Sequence, residues 1–254
     1  MKILAVANEK GGTGKTTTAL MIAQGEALRG KSVLLVDLDQ QGDATFTLSP
    51  ARPPEKSTFD LLTDPDCKLE DITFSVTEFL DLAPASPTLS RLDQMLVGKI
   101  DAQFVLSDKL EGLSGYDLVV IDTSPTLDFS TQNALTCADT VVIPVQADLF
   151  SLKGLSVLGA LIKAIQKRSN HHLTVAGIVI DRYNSRIKLS KSIKQQLEEF
   201  APQLGTKVFK TTIREATAVR EAQTAFTSLF EYDSKCKATT DANQFLDELE
   251  ETLK

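Results

Sequence analysis

Ile3-Leu4-Ala5-Val6-Ala7 leads through Asn8-Glu9 into Lys10-Gly11-Gly12-Thr13-Gly14-Lys15-Thr16-Thr17, and this passage decides the fold. A short apolar run reads as a buried strand. The glycine-rich turn that follows, ending in Gly-Lys-Thr-Thr before a helical stretch, has the makings of a phosphate cradle. Its glycines let successive backbone N–H groups turn inward on a polyphosphate. Lys15 adds a point charge, and the Thr16 hydroxyl can complete the shell of a Mg²⁺ ion. The usual spacing, Gly-x-x-x-x-Gly-Lys-[Ser/Thr], is broken because Glu9 stands where the first glycine belongs. A second lysine, Lys10, precedes the glycine pair instead.

Outward from this loop, apolar β-rich runs recur at 3–7, 32–37, 79–84, 117–122, 140–145, 173–180 and 207–212. Most are continuous rather than alternating, as expected for parallel strands buried on both faces. Helical patterns fall between them, at about 15–29, 88–98, 102–112, 131–137, 151–168, 187–200 and 239–253. This alternation predicts an α/β protein with a doubly wound, mostly parallel sheet and helices on both faces. Ligands then bind beyond the carboxyl ends of the strands. The least regular stretch, 47–76, holds Pro50, Pro53, Pro54 and Pro65 and reads as a surface excursion. A single domain over residues 1–254 is expected, with the apolar pattern on 151–168 serving packing.

The bulk numbers narrow the function. The 254 residues are 42% hydrophobic and 24% charged, without tryptophan. No stretch approaches the ~18 consecutive apolar residues of a membrane span, and the first residues do not read as a secretory signal. Cys67, Cys137 and Cys236 lack a C-x-x-C spacing, which suits reduced cytoplasmic thiols rather than a metal centre. The net charge of −7 speaks against nucleic acid, yet residues 182–220 carry nine Lys/Arg against three Glu. Fields decay over about 8–10 Å at physiological salt, so this local surplus matters more than the total. From pattern alone it is equally the solvated face of a helix.

Three aspartates end apolar strands, on the side where the phosphate loop lies. Asp122 closes Leu118-Val119-Val120-Ile121 and can orient Mg²⁺ through water. Asp37 and Asp39 end the second strand in Val36-Asp37-Leu38-Asp39-Gln40-Gln41-Gly42-Asp43-Ala44-Thr45. A lone strand-end aspartate is usually a turn or cap. Three together with this loop point to a nucleotide–metal site.

Several motifs in order resemble the ParA/MinD family of deviant Walker A ATPases, in the P-loop NTPase fold. Lys10–Thr17 is similar to the deviant loop, Asp37-x-Asp39-x-Gln41-Gly42-x-Ala44-Thr45 to the second acidic motif, and Tyr116–Pro125 to the Walker B strand. Asp81–Ser86, Ile143-Pro144-Val145-Gln146 and Arg214-Glu215…Arg220-Glu221-Ala222 also match ParA-type partition ATPases of the short form. Gln40, Asp43 and Ser124 depart from the family's usual residues without removing a charged group.

The resemblance implies a slow Mg²⁺-dependent ATPase. Lys10, Gly11, Gly12, Thr13, Gly14, Lys15, Thr16 and Thr17 would hold ATP. Thr16, Asp37, Asp39 and Asp122 would serve the Mg²⁺, partly through water. Asp39 would position the attacking water, and Lys10 would reach the nucleotide of a second copy in an ATP-dependent homodimer. Asp181 and Arg214 would lie near base and ribose. Nonspecific DNA would be held by Arg186, with Lys188, Lys191 or Arg220 supplying charge where Ala218 replaces a family arginine. The implied task is segregation of plasmid, phage or chromosomal DNA or another cargo, with a ParB-like centromere-binding partner. The implied location is cytoplasmic, on the nucleoid in the ATP state, with no membrane expected. A MinD-like role at a membrane surface is the alternative; it needs a basic amphipathic tail, whereas Phe245–Lys254 is acidic. An iron–sulfur reductase related to the nitrogenase iron protein needs clustered cysteines. A nonenzymatic scaffold would not need Lys10, Lys15, Asp39 and Asp122 together.

Overall fold

The computed structural model describes residues 1–49, 55–148 and 150–254. Its strands are β1 (Lys2–Val6), β2 (Val33–Leu38), β3 (Phe74–Thr77), β4 (Leu80–Ala83), β5 (Leu118–Thr123), β6 (Thr140–Gln146), β7 (Thr174–Tyr183) and β8 (Val208–Arg214). They form a single sheet in the order β3-β4-β2-β5-β1-β6-β7-β8. All neighbouring pairs are parallel except β3 with β4. The strand order reverses beside β1, which leaves a crevice at the carboxyl ends there.

The α-helices are α1 (Lys15–Leu28), α2 (Asp43–Leu48), α3 (Thr58–Thr63), α4 (Leu69–Ile72), α5 (Leu92–Leu96) and α6 (Val105–Leu110). They continue with α7 (Phe129–Cys137), α8 (Ser151–Arg168), α9 (Lys188–Phe200), α10 (Thr217–Thr224), α11 (Leu229–Tyr232) and α12 (Lys237–Leu253). Alternate residues of the central strands feed two cores. Ala5, Val36, Ile121 and Ile143 pack with Leu155, Leu158 and Leu197 on one face. Leu4, Val6, Leu35 and Val120 pack with Leu20, Ile22, Phe245 and Leu246 on the other. Burial on both faces is why these strands read as unbroken apolar runs. Phe209 fits edge-on to Phe245, with ring centroids 5.2 Å apart. A Cβ on Gly177 would come within 2.4 Å of the Phe209 ring. Only glycine lets β7 lie beneath that ring.

The stretch 47–76 departs from its expected reading. Pro50, Pro53 and Pro54 lie outside the described residues. The remainder includes α3 and α4, with Leu61, Leu62, Cys67, Leu69 and Ile72 buried in a core. It also ends in β3, the sheet's outermost strand. The described part of the segment is therefore packed into the structure. No described helix is long and apolar enough to cross a membrane.

Candidate functional site

The phosphate loop joins β1 to α1 and turns through two left-handed glycines, Gly12 at φ 74° and Gly14 at φ 90°. Gly14 caps α1, and no side chain bonds the helix's first amides. Those amides are free to face an anion. A Cβ on Gly14 would meet Asp181 Oδ2 at 2.4 Å. The end of β7 thus presses directly on the loop and excludes any larger residue there. Gly11 and the Gly12 backbone have open space on that side.

Lys15 opens α1 and is buried, its Nζ donating to the Lys10 carbonyl at 3.2 Å. Desolvation lowers its pKa, with the charges of Asp122 and Asp39 working in the opposite direction. An ammonium held this way, on one weak carbonyl partner, is ready to exchange it for a phosphate oxygen.

The three aspartates have separate environments. Asp37 and Asp122 are register partners on adjacent strands. Asp122 is fully buried, and neither carboxylate oxygen has a hydrogen-bond partner among the described residues. Burial first, then the Asp37 charge, raises its pKa well above its ordinary value, while the nearby Thr16 hydroxyl, which falls short of full hydrogen-bond geometry, and the Lys15 charge pull the other way. Asp37 is equally buried but fully engaged. It accepts from the Asp39 amide at 3.0 Å, the Thr45 amide at 2.9 Å and the Thr45 hydroxyl at 2.7 Å. Its pKa is pushed up to about 6, chiefly by burial. Thr45 Oγ1 in turn accepts from the Ala85 amide at 2.8 Å, and Thr58 Oγ1 donates to the Asp37 carbonyl at 2.8 Å. Asp39 is buried by the same turn and accepts from the Gln41 amide at 3.0 Å. Burial raises its pKa, and the Lys15 charge lowers it.

These carboxylates do not close into a ready cluster of ligands among the described residues. What they offer is one bare, buried carboxylate beside a threonine hydroxyl and a lysine. That fits Mg²⁺, which keeps several waters and takes few direct protein ligands. It does not suit an ion needing an all-protein cage.

Lys10 sits at the rim. Its ammonium pairs with Asp148, and its Nζ is 6.0 Å from the centroid of the Phe150 ring. Asp148 also accepts from the Phe150 amide at 2.9 Å and Ser151 Oγ at 3.2 Å. Burial would raise the Asp148 pKa; the bond from Lys10 and the amide outweigh it and lower it. Asn8 braces the same corner, donating to the Pro144 carbonyl at 2.6 Å and accepting from the Lys10 amide at 3.2 Å. Gln146 donates to the Gly12 carbonyl. Sequence reasoning missed Asp148. The one available signal was an acidic residue between the end of β6 and Ser151, a spacing typical of turn and cap residues.

The outer residues divide. Asp181 is buried against Gly14, and burial raises its pKa to about 6. It shares a polar pocket with Thr17, Arg214 and Arg220. Arg214 is committed elsewhere. Its guanidinium holds Asp241 of α12 through Nε at 2.6 Å and an Nη at 2.8 Å, which ties β8 to that helix. Arg186, Lys188 and Lys191 are exposed on the β7–α9 turn and the start of α9, and Arg220 is exposed on α10. None of the four forms an ion pair among the described residues.

An eight-stranded doubly wound sheet with a glycine-rich phosphate loop after β1 defines a P-loop nucleotide hydrolase. A family profile described as an AAA domain matches residues 1–175. The chain is 39% identical to the chromosome-partitioning ATPase Soj of Thermus thermophilus, over 86% of this chain and 83% of that protein. It is 32% identical to the chromosome partitioning protein ParA of Caulobacter vibrioides, over 93% and 89%. A crystal structure of cobyrinic acid a,c-diamide synthase from Mycobacterium smegmatis, bound to an ATP analogue and magnesium, superposes with a TM-score of 0.86. It is 29% identical and covers 100% of this chain and 96% of that one. The chain belongs to the ParA/Soj-type partition ATPases, enzymes that hydrolyse ATP.

Proposed function

We propose that this chain binds Mg²⁺ and ATP in the Lys10–Thr17 loop, pairs with a second copy across the two nucleotides, and uses slow hydrolysis to release that pair from DNA. The observation that carries the reading is Asp122, a buried carboxylate with both oxygens unpartnered beside Lys15 and Thr16. Leaving such a group unmatched is costly unless a cation or its water shell completes it.

In this reading Lys15 and the loop amides hold the phosphates, and the Thr16 hydroxyl with Asp122 holds the ion, partly through water. When bound, Mg²⁺ neutralises charge on the phosphate oxygens. Asp39 positions the attacking water. Asp37 acts by fixing the turn that carries Asp39, since its own oxygens are engaged. Lys10 leaves Asp148 and reaches the nucleotide of the second copy, where it balances developing charge as an arginine finger does. Asp181, beside the loop, lies in the base and ribose region. Arg214 keeps to its pairing with Asp241.

The start of α9 supports contact with DNA. Lys188 and Lys191 stand in its first turns, its cap residue Ile187 offers no side-chain bond, and no acid lies in its first turn. Helix dipole and side-chain charge therefore add to one positive end. Doubling that end in a homodimer ties retention on nonspecific DNA to the nucleotide state. A ParB-like protein bound to the cargo DNA is the partner that would stimulate turnover, and the ATP form would reside on the nucleoid. The MinD-like alternative is disfavoured by α12. Its apolar residues Phe245, Leu246 and Leu249 are buried in the core rather than free for lipid.

Sizing the purified protein with ATP, ADP or no nucleotide, with and without nonspecific DNA, tests the proposal. A dimer only with ATP, and DNA retention only of that dimer, is expected. A monomer in every state would reject the shared-nucleotide pairing.

A further inference from the structure

The molecule has a second concavity away from the phosphates. A cavity of about 410 Å³ lies between the end of α1, the β3–β4 hairpin and the α10–α11 connection. Leu28, Val76, Phe79 and Phe226 contribute its apolar lining. Leu28 is 56% exposed, Phe226 44% and Phe79 38%, although each is a large apolar side chain. Scattered exposed apolar residues need no account, but several converging on one hollow mark an interaction site.

Two further features single it out. Phe226 adopts φ +53°, a left-handed backbone that a bulky residue rarely takes. Its ring meets that of Phe46 edge-on, with centroids 5.3 Å apart, so a strained residue presents an aromatic surface at the mouth. The charged groups lining the cavity among the described residues are both carboxylates, Glu78 and Glu231. Neither makes an ion pair among the described residues, and Glu231 accepts from Ser228 Oγ at 2.6 Å. An apolar floor with an acidic rim that has no ion-pair partner among the described residues complements a cation flanked by an apolar group. It repels phosphates and anionic lipid.

We propose that this pocket docks a short segment of a partner protein, one in which a lysine or arginine neighbours a large apolar side chain. The pocket adjoins β3, the outermost strand, so a chain anchored there can run on beside the sheet edge in extended form. The wall helix α1 begins at Lys15, and Gln223 Nε2 of α10 lies 3.4 Å from Thr17 Oγ1. The wall helix α1 therefore grows directly out of the phosphate loop, and α10, which leads into the lining residues Phe226–Ser228, also touches that loop. The docking site itself stands independently of the nucleotide cycle proposed above, because its test reads binding directly.

A random-peptide phage library is selected on the full chain, and the strongest peptide is labelled and titrated by fluorescence polarisation. Selected sequences should place Lys or Arg next to Leu, Ile, Met or Phe. Glu78→Lys and Leu28→Glu should each weaken the labelled peptide by about tenfold, the loss of one interface anchor, with ATP binding unchanged. Glu78 lies at an exposed turn, so Glu78→Lys decides alone if Leu28→Glu proves less stable. Absence of a basic–apolar consensus, or affinity unmoved by Glu78→Lys, would overturn the proposal. So would self-association of the unliganded chain that Leu28→Glu abolishes, which would make a second copy the occupant.

Discussion

The Lys10 ammonium is held by Asp148 of its own chain, 138 residues away, at the corner where β6 gives way to α8. A lysine proposed above to enter another subunit's site is thus already engaged at home. Asp148→Asn keeps an oxygen for the Phe150 amide but removes the charge. The ATP-bound dimer should then form roughly two- to fivefold more tightly, the range of a partly exposed ion pair. Sedimentation at limiting ATP measures this, and an unchanged dimer constant would mean that the pairing does not restrain Lys10.

Asp39→Ala should leave ATP binding and dimerisation intact while turnover falls by about 10²–10⁴-fold, as for loss of a group acting on the attacking water. Lys15→Ala should instead lose ATP binding itself. Nucleotide binding by filter retention and phosphate release separate the two. Normal hydrolysis by Asp39→Ala would remove that residue from the chemistry.

Stability should carry a signature of Asp181. Its folded pKa, raised by burial to about 6, exceeds its unfolded value, so the folded state takes up the proton first. The stabilisation from that uptake is complete below about pH 4 and is lost as pH climbs through about 6. Asp181→Asn should therefore raise stability at pH 7.5 by on the order of 1–3 kcal/mol, with a smaller gain at pH 5. Urea titrations at the two pH values supply the comparison. Equal gains at both would contradict the burial argument.

Arg186→Glu should weaken retention on nonspecific DNA and lower the slope of log affinity against log salt by about 1, without altering the ATP dimer. A salt titration that overlays the unaltered protein's would move the DNA surface elsewhere.

The central sheet was legible because its strands are buried on both faces and read as apolar runs from Ile3 to Ile180. β3 escaped because only alternate residues of Phe74–Thr77 are partly buried, in a four-residue strand following a proline-rich stretch. Helices α2, α10 and α11 are short, at six, eight and four residues, and helices of that length are marginal on their own. The phosphate loop and the three aspartates could be named from spacing, but their separate duties could not. Asp37 and Asp122 look alike at strand ends, yet Thr45 and the Asp39 amide occupy one while the other is bare. The Lys10–Asp148 pairing and the Arg214–Asp241 fork join distant parts of the chain, which no local pattern encodes.

The hydroxyl of Thr45 receives from Ala85 and gives to Asp37, while Thr58 fastens to the Asp37 carbonyl. Four separate stretches of backbone are thereby knotted at one point, two positions upstream of Asp39. A displacement of that aspartate would therefore be felt at the Ala85 amide just beyond β4 and at the first turn of α3. Because the chain has no tryptophan, a single indole introduced near either place would report it against a dark background.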